Sequence, residues 1–119
     1  HVDQIRALAR RGVFALPGSV EGTTSWIHID DAAAAVVAAL RAPAGLYNVG
    51  EADPVPRRMH ADALARSVGR ERLRVLPARV VRVAGESIES LARSQRICSQ
   101  RLTEATGWRA EHDVVDSWL

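Results

Sequence analysis

Apolar residues recur at helical spacing near the start of the chain. Ile5, Leu8 and Ala9 fall on one side of segment 2–11, and arginines occupy the opposite side. This spacing is typical of an amphipathic helix with one buried face. Gly12 follows directly, and glycine commonly ends helices. The pattern therefore predicts a helix over 2–11 that ends at Gly12.

The alanine-rich segment 30–40 has the clearest helical pattern. Asp30 is a favourable N-cap residue, and Asp31 would lie at the positive end of the helix dipole. This makes capping a better interpretation of the two acids than a catalytic pair, because neighbours at a helix start point in different directions. The apolar face consists of Ala33, Val36, Val37 and Leu40. We expect this face to pack against a sheet.

Two further helices are expected in the second half of the chain. One covers 59–68 and ends at Gly69, and the other is capped by Ser99 and ends at Gly107. The pattern of 78–91 is ambiguous and favours a helix over part of its length.

Short runs of β-favouring residues predict the strands. They lie at 13–16, 26–29, 46–49 and 73–76. A helix followed by a short loop and an apolar strand, as in 30–49, indicates an α/β fold.

The length of the chain is that of one small domain or of a piece of a larger one. The 119 residues are 47% hydrophobic but only 4% aromatic, and 20 are alanine, so small aliphatic residues must fill the core. All 16 basic residues are arginine, which excludes mechanisms that need a lysine ammonium. The net charge is only +2, and the 16 basic and 14 acidic residues are mixed along the sequence. This pattern does not indicate a nucleic-acid partner.

Targeting signals are absent from the pattern. Cys98 is the single cysteine and cannot form an internal disulfide. No apolar run approaches the roughly 20 residues of a membrane span, and the N-terminal residues do not form a signal peptide. We therefore expect no membrane partner and a cytoplasmic protein. Without a starting Met, the chain is expected to be processed, truncated or excised.

Several side chains are candidates for chemistry, each beside a structural alternative. His28 and Trp26 would share one face of strand 26–29, either as a pocket wall or as packed residues. The four histidines show no metal-ligand spacing and Cys98 has no partner, so no metal site is expected. The third set is arginine, at positions 93, 96 and 101. These guanidinium groups could bind a phosphate or carboxylate, or form a solvated face.

Three segments, in this order, resemble the C-terminal half of the NAD-dependent epimerase/dehydratase family of extended or atypical short-chain dehydrogenase/reductases. Segment 26–32 (WIHIDDA) resembles the family's aromatic-I/V-H-V-x-D-hydrophobic-A strand and helix start. Segment 45–50 (GLYNVG) is similar to its G-x-Y-N-V-G strand. Segments 93–99 and 106–109 (RSQRICS and TGWR) resemble the S-x-R-V-S-N and G-W-x-P motifs near the end of such chains.

This resemblance implies an α/β architecture, more closely an α+β fragment. The chain would be the substrate-binding C-terminal part of a Rossmann-type enzyme that lacks its N-terminal dinucleotide-binding half. Residues 1–29 would be a piece of the substrate domain, 30–50 a helix and strand returning to the Rossmann sheet, and 51–119 the substrate-binding C-terminal domain.

The resemblance also implies a function. The parent would be an oxidoreductase that uses NAD or NADP on a sugar nucleotide or another hydroxyl- or carbonyl-bearing substrate. The family's catalytic Tyr-x-x-x-Lys pair is absent, since Glu51 stands four residues after Tyr47, and no catalytic or cofactor-binding residue is assigned. Thr24 stands where an arginine often contacts the diphosphate. The candidate substrate contacts are Thr24, Trp26, His28 and Arg96.

The chain alone is not expected to bind NAD(P) tightly or to turn over. Its expected partners are a small-molecule substrate, the missing Rossmann half and further copies of itself, because Val36, Val37, Leu46 and Val49 should expose apolar surface. The alternative is a non-catalytic binding or regulatory protein of the same fold, acting by self-association or partner binding. The gene upstream of His1 distinguishes the two.

Overall fold

The computed structural model describes residues 2–14, 18–75 and 92–116. Within these ranges the chain forms four helices and a two-stranded parallel sheet, an α/β arrangement. In chain order the elements are α1 (Val2–Arg10), β1 (Val13–Phe14), α2 (Ile29–Ala39), α3 (Arg57–Ser67), β2 (Arg74–Val75) and α4 (Gln100–Thr106). The described residues divide into two compact units. Unit 1 contains 2–14, 18–24, 55–75 and 92–95, and unit 2 contains 25–54 and 96–116.

Unit 1 packs α1 and α3 together beside the small sheet. Val13 pairs with Arg74 and Phe14 pairs with Val75 in parallel register. The predicted helices 2–11 and 59–68 and the strand at 73–76 are confirmed in the described residues, with α3 starting two residues earlier than expected. The core is built from small residues of both helices around two larger ones, Phe14 and Leu64.

An arginine is buried inside unit 1. Arg57, only 1% exposed, donates from its guanidinium to the backbone carbonyls of Ser19 and Arg93. Gly22 lies against this guanidinium so closely that a Cβ at position 22 would collide with it. A buried charge needs such partners, because leaving it unpaired costs several kcal/mol. Arg57 therefore ties the start of α3 to two loops.

Unit 2 packs α2 against α4. Its core is formed by Ala35, Ala38, Leu102 and Trp108, with Ile27, Ala42, Tyr47, Val49 and Ala110 packed around it. The predicted helix after Ser99 is confirmed, and Gly107 ends it in the left-handed conformation (φ 77°) that glycine adopts without strain. Ser99 does not cap α4 through its side chain. Its hydroxyl accepts from the Gly50 N–H at 2.9 Å instead.

The face of α2 that turns inward differs from the predicted one. The buried residues are Asp31, Ala35 and Ala38. Val36, Val37 and Leu40 are 66%, 58% and 82% exposed, respectively. Because α2 is apolar on both sides, the hydrophobic pattern alone does not determine which side faces α4. The related expectation that Val36, Val37 and Leu46 are exposed is confirmed, whereas Val49 is half-buried on the core.

The predicted strands 26–29 and 46–49 are absent from the described residues, and Asp30 is not the N-cap of α2. Segments 26–28 and 46–49 have no strand assignment, and Ile29 already belongs to α2. Strands need a partner strand to form a ladder, and these two short runs have none within 2–14, 18–75 and 92–116. The N-cap of α2 is His28, whose side chain accepts from the Asp30 N–H at 3.3 Å.

Several expectations lie outside the described residues. They include the end of strand 13–16, the last position of strand 73–76 and the helical segment within 78–91. No helix in the described ranges is long and apolar enough to cross a membrane. The division into 1–29, 30–50 and 51–119 remains a prediction.

Candidate functional site

An open groove of about 590 Å³ lies within unit 2. One wall is the turn 50–54, a second is the segment 96–100 leading into α4, and the third is 108–110 after α4. Most of the lining surface is apolar, and the polar side chains on it are Glu51, Arg96, Ser99, Gln100, Thr103, Glu104 and Arg109. Concave sites with a few converging polar groups are the usual places for small-molecule ligands.

Arg96 is the predicted site residue that lines this groove. Its side chain is 68% exposed, and its guanidinium lies 3.7 Å from the Asp53 carboxylate. Such an exposed ion pair contributes little to stability, so the guanidinium can turn toward a ligand at small cost. Arg109 brings a second guanidinium to the groove. The groove therefore offers two cations to an anionic group.

Glu51 connects the groove to the segment before α2. The backbone N–H of Glu51 donates to the backbone carbonyl of Trp26 at 2.7 Å. The Glu51 carboxylate accepts from the backbone N–H of Trp26 at 2.9 Å. Burial raises the pKa of Glu51, the nearby charges of Asp113 and Asp53 raise it further, and the Trp26 hydrogen bond opposes them. The raised pKa makes Glu51 a pH-sensitive group in the groove wall.

A second cluster in unit 2 lies at the start of α2. The imidazoles of His28 and His112 stack with their centroids 4.2 Å apart and their planes 16° from parallel. Nδ1 of His112 lies 3.0 Å from the Asp31 carboxylate. The His28 ring is held by its capping contact with the Asp30 N–H. The stack thus joins the N-terminus of α2 to the segment after α4.

Asp31 anchors this segment to α2. Its buried carboxylate accepts from the backbone N–H groups of Glu111 (3.2 Å) and His112 (3.0 Å) as well as from the His112 ring. Burial by itself raises the pKa of Asp31, but the hydrogen bonds from His112 and Glu111 outweigh it and the net shift is downward. An ionised Asp31 can only accept, so Nδ1 of His112 carries the proton. The same hydrogen bond raises the pKa of His112.

The four predicted substrate contacts belong to both units, and their roles stay predictions. Thr24 belongs to unit 1, where its buried Oγ1 has no hydrogen-bond partner among the described residues. Trp26, His28 and Arg96 belong to unit 2. Trp26 and His28 are half-buried, and because 26–28 is not a strand, their shared strand face is not present. Arg96 is the member of the set that lines the groove.

The three arginines near 93–101 go to different places. The Arg93 carbonyl belongs to the Arg57 site in unit 1, whereas Arg96 lines the groove. Arg101 lies over the Tyr47 ring, 5.1 Å from its centroid, and donates to the Leu46 carbonyl at 3.0 Å. All three arginines are exposed, which agrees with the solvated face, and anion binding by them stays a prediction.

The sequence interpretation missed the roles of Glu51, Asp31 and His112. Asp31 contacts His112 across about 80 positions of sequence, and no local pattern connects such distant residues. The sequence also predicted that both acids act only at the helix start, Asp30 as the cap and Asp31 at the helix dipole, which does not predict a buried Asp31. One signal was present: an acid directly after a helix cap and before four alanines lies on a face that has no other polar residue.

Comparison with known proteins relates the chain to a reductase. It is 33% identical over 111 residues to a 3-diazoavenalumate denitrifying reductase from a Streptomyces species, a match covering 91% of this chain and 36% of that protein. Among solved structures it is similar to RMD from Pseudomonas aeruginosa complexed with NADPH, with a TM-score of 0.62 and 21% identity. That match covers 98% of this chain and 38% of RMD. No family model matches the sequence.

The two matches agree in extent. The chain spans little more than a third of the length of either protein. The sequence relationship is to an oxidoreductase, and the structural one is to part of the fold of an NADPH-binding protein. The α/β arrangement expected from the sequence agrees with this partial match.

Proposed function

We propose that this chain is the substrate-recognition part of an NAD(P)-dependent oxidoreductase of the epimerase/dehydratase type. The observation that carries the proposal is the 33% identity to a reductase over 91% of the chain. The ordered motifs at 26–32, 45–50 and 93–109 support the finer assignment to the epimerase/dehydratase type. The parent would bind NAD or NADP with a preceding Rossmann half and would use a Tyr-Lys pair there for proton transfer.

The exposed face of α2 supports a missing partner surface. Ile29, Val36, Val37 and Leu40 are all more than half exposed, and Leu46 is 89% exposed. Monomeric proteins seldom leave several large aliphatic side chains together in water, because covering them is worth about 25 cal/mol per Å². We assign this face to the Rossmann half of the parent. In the chain alone the same residues would drive self-association.

The groove in unit 2 supports a role in substrate recognition. Arg96 and Arg109 supply guanidinium groups, and the side-chain carbonyl of Gln100 supplies a neutral acceptor, while the Ser99 hydroxyl is bonded to Gly50. Guanidinium groups bind carboxylate and phosphate oxygens bidentately. This donor set fits a substrate that carries an anionic group beside hydroxyl or carbonyl groups, as a sugar nucleotide does. Thr24, Trp26 and His28 remain candidate contacts of the assembled parent.

The first test is the DNA upstream of the His1 codon. We expect an in-frame glycine-rich nucleotide-binding turn and a Tyr-x-x-x-Lys motif. The longer protein should then bind NADPH in a fluorescence titration, and the 119-residue chain should not. A start codon at the boundary, or micromolar NADPH binding by the short chain, would contradict the proposal and favour the non-catalytic binding protein.

The second test concerns the groove. In the longer protein, Arg96→Ala should raise KM for an anionic substrate about tenfold or more, since a charge-assisted hydrogen bond contributes about 1.5–3 kcal/mol. Arg72→Ala is the matched control, because it removes an exposed arginine that does not line the groove. Equal effects of the two substitutions would show that only overall charge matters.

A further inference from the structure

The second cluster of unit 2 has an arrangement that its sequence spacing does not reveal. One candidate ligand atom each from His28, Asp30 and His112 lies within 4.8 Å of the other two. His28 and Asp30 belong to the start of α2, and His112 belongs to the segment that Asp31 anchors there. Two imidazole nitrogens and one carboxylate oxygen form a donor set that zinc and related ions accept.

We propose that His28, Asp30 and His112 bind a divalent first-row transition metal ion such as Zn²⁺. Three protein ligands leave at least one position open to water or a ligand. All three side chains reach solvent, with exposed side-chain fractions of 27%, 73% and 45%. The ion therefore has an entry path that requires no opening of the core.

Asp31 supplies the outer contact that a metal-binding histidine usually has. A histidine ligand generally donates its other ring N–H to a carboxylate or carbonyl, which fixes its tautomer and orientation. The Nδ1 of His112 makes this contact with Asp31 at 3.0 Å, and its Nε2 keeps the lone pair. His28 offers Nδ1, which now accepts only a 3.3 Å hydrogen bond from the Asp30 N–H.

The charges around the cluster also favour a cation. The carboxylates of Asp30 and Asp31 together bring two negative charges to the start of α2, against about half a positive charge from the helix dipole. Both histidines bind metal in their neutral form.

Metal binding requires the stacked rings to move. Bonds of about 2.0–2.1 Å bring ligand atoms to about 3.0–3.5 Å from one another, closer than the present limit of 4.8 Å. The two imidazole planes, now 16° from parallel, must tilt so that their lone pairs converge on one point. Coordination by Nδ1 of His28 uses the lone pair that now accepts from the Asp30 N–H, so the metal bond replaces the N-cap hydrogen bond of α2. Loss of the stack is therefore a specific signature of the site.

The test uses the 119-residue chain carrying His1→Ala, because an N-terminal amine and imidazole chelate metals by themselves. Titration calorimetry with ZnCl₂ should give one ion per chain, and Co²⁺ should produce visible absorption bands stronger than those of the hydrated ion. In imidazole NMR spectra, the signals of His28 and His112 should shift while those of buried His60 stay unchanged. Absence of one-to-one binding overturns the proposal.

Substitutions assign the ligands. His28→Ala, Asp30→Asn and His112→Ala should each weaken Zn²⁺ binding about tenfold or more. Glu111→Gln is the matched control, since it removes one exposed negative charge beside the cluster but no proposed ligand. Its affinity should stay within about twofold. Unchanged binding in His28→Ala, or equal weakening by Asp30→Asn and Glu111→Gln, contradicts the site.

The His112→Ala variant needs a separate measurement of stability, because His112 also contacts Asp31. Thermal unfolding without metal measures any loss of stability in His112→Ala. If that variant does not fold, His28→Ala and Asp30→Asn decide the outcome. The NADPH and groove experiments above do not involve these residues, so the metal site and the proposed function can fail independently.

Discussion

The two faces of α2 differ in a way that is unusual for a surface helix. The inner face carries the small residues Ala35 and Ala38 and the carboxylate of Asp31, whereas the outer face carries Val36, Val37 and Leu40. A helix that is apolar all round is generally buried on both sides. The difference indicates that close approach of α4 selects alanine on the inner face. The larger aliphatic residues of the outer face are available to another surface.

The largest effect should come from the inner carboxylate. Asp31→Ala removes the acceptor of three hydrogen bonds and leaves two backbone N–H groups without their partner. We expect the free energy of unfolding to fall by about 2–3 kcal/mol, because hydrogen bonds to a charged acceptor contribute about 1.5–3 kcal/mol each, while His112 stays partly in water. Urea denaturation followed by circular dichroism measures this. Asp30→Ala, at the exposed neighbour, should cost about 1 kcal/mol or less, and equal losses would remove the distinction.

The next effect tests how tightly the inner face is packed. Ala38→Leu places a large side chain against the unit 2 core and should cost about 1–3 kcal/mol through overpacking. Val37→Leu adds one methylene on the outer face and should change stability by less than about 0.5 kcal/mol. Thermal unfolding of the two variants gives the comparison. A tolerated Ala38→Leu would mean that the inner face has room to spare.

The wall of the groove at 50–54 should respond to pH. The pKa of Glu51 is raised above its usual 4.5 in the folded chain. The protonated form is therefore favoured by folding, and its contribution is complete below the unfolded pKa and lost as pH rises through the folded pKa. Glu51→Gln should remove this decline. The difference between the two unfolding curves from pH 4 upward isolates the effect, and parallel curves would contradict it.

Glu51→Ala sharpens the same point. It removes the acceptor of the Trp26 backbone N–H, so it should cost about 1–3 kcal/mol at low pH, where the contribution of Glu51 is complete. Glu51→Gln keeps an acceptor oxygen and should cost less.

The smallest effect on stability, but a clear effect on association, is expected for the outer face. Val36→Ser combined with Leu40→Ser should change the free energy of unfolding by less than about 0.5 kcal/mol per site. It should also reduce self-association of the chain in light scattering, because exposed apolar area is removed. Val20→Ser, at an exposed apolar residue of unit 1, is the control. If the unsubstituted 119-residue chain is strictly monomeric in light scattering, the proposal for this face is contradicted.

Local signals predicted much of the fold. The amphipathic spacing before Gly12, the helix ending near Gly69 and the left-handed Gly107 all act within a few residues, and each appears in the structure. The predicted strands 26–29 and 46–49 are not present in the described residues. β-Favouring residues form a strand only beside a partner strand, and the local sequence does not show whether one is available.

The candidate site was harder to predict. Arg96 was selected from the sequence for its guanidinium chemistry and lines the groove, and its contact with a substrate stays a prediction. The partnership of Asp31 with His112 was not, because the two residues approach only after α4 packs on α2. The buried Arg57 was also missed, since a charged residue at a helix start usually remains in water.

Neither unit is a continuous stretch of chain. Residues 25–54 interrupt the described part of unit 1, and residues 55–95 separate the two segments of unit 2. No single truncation can therefore yield one unit intact and leave the other out. A proteolytic nick between 25 and 54 would divide both units between two fragments. Isolating unit 2 for genetic or spectroscopic work requires removal of residues 1–24 and an internal deletion that rejoins residue 54 to residue 96 through a designed linker.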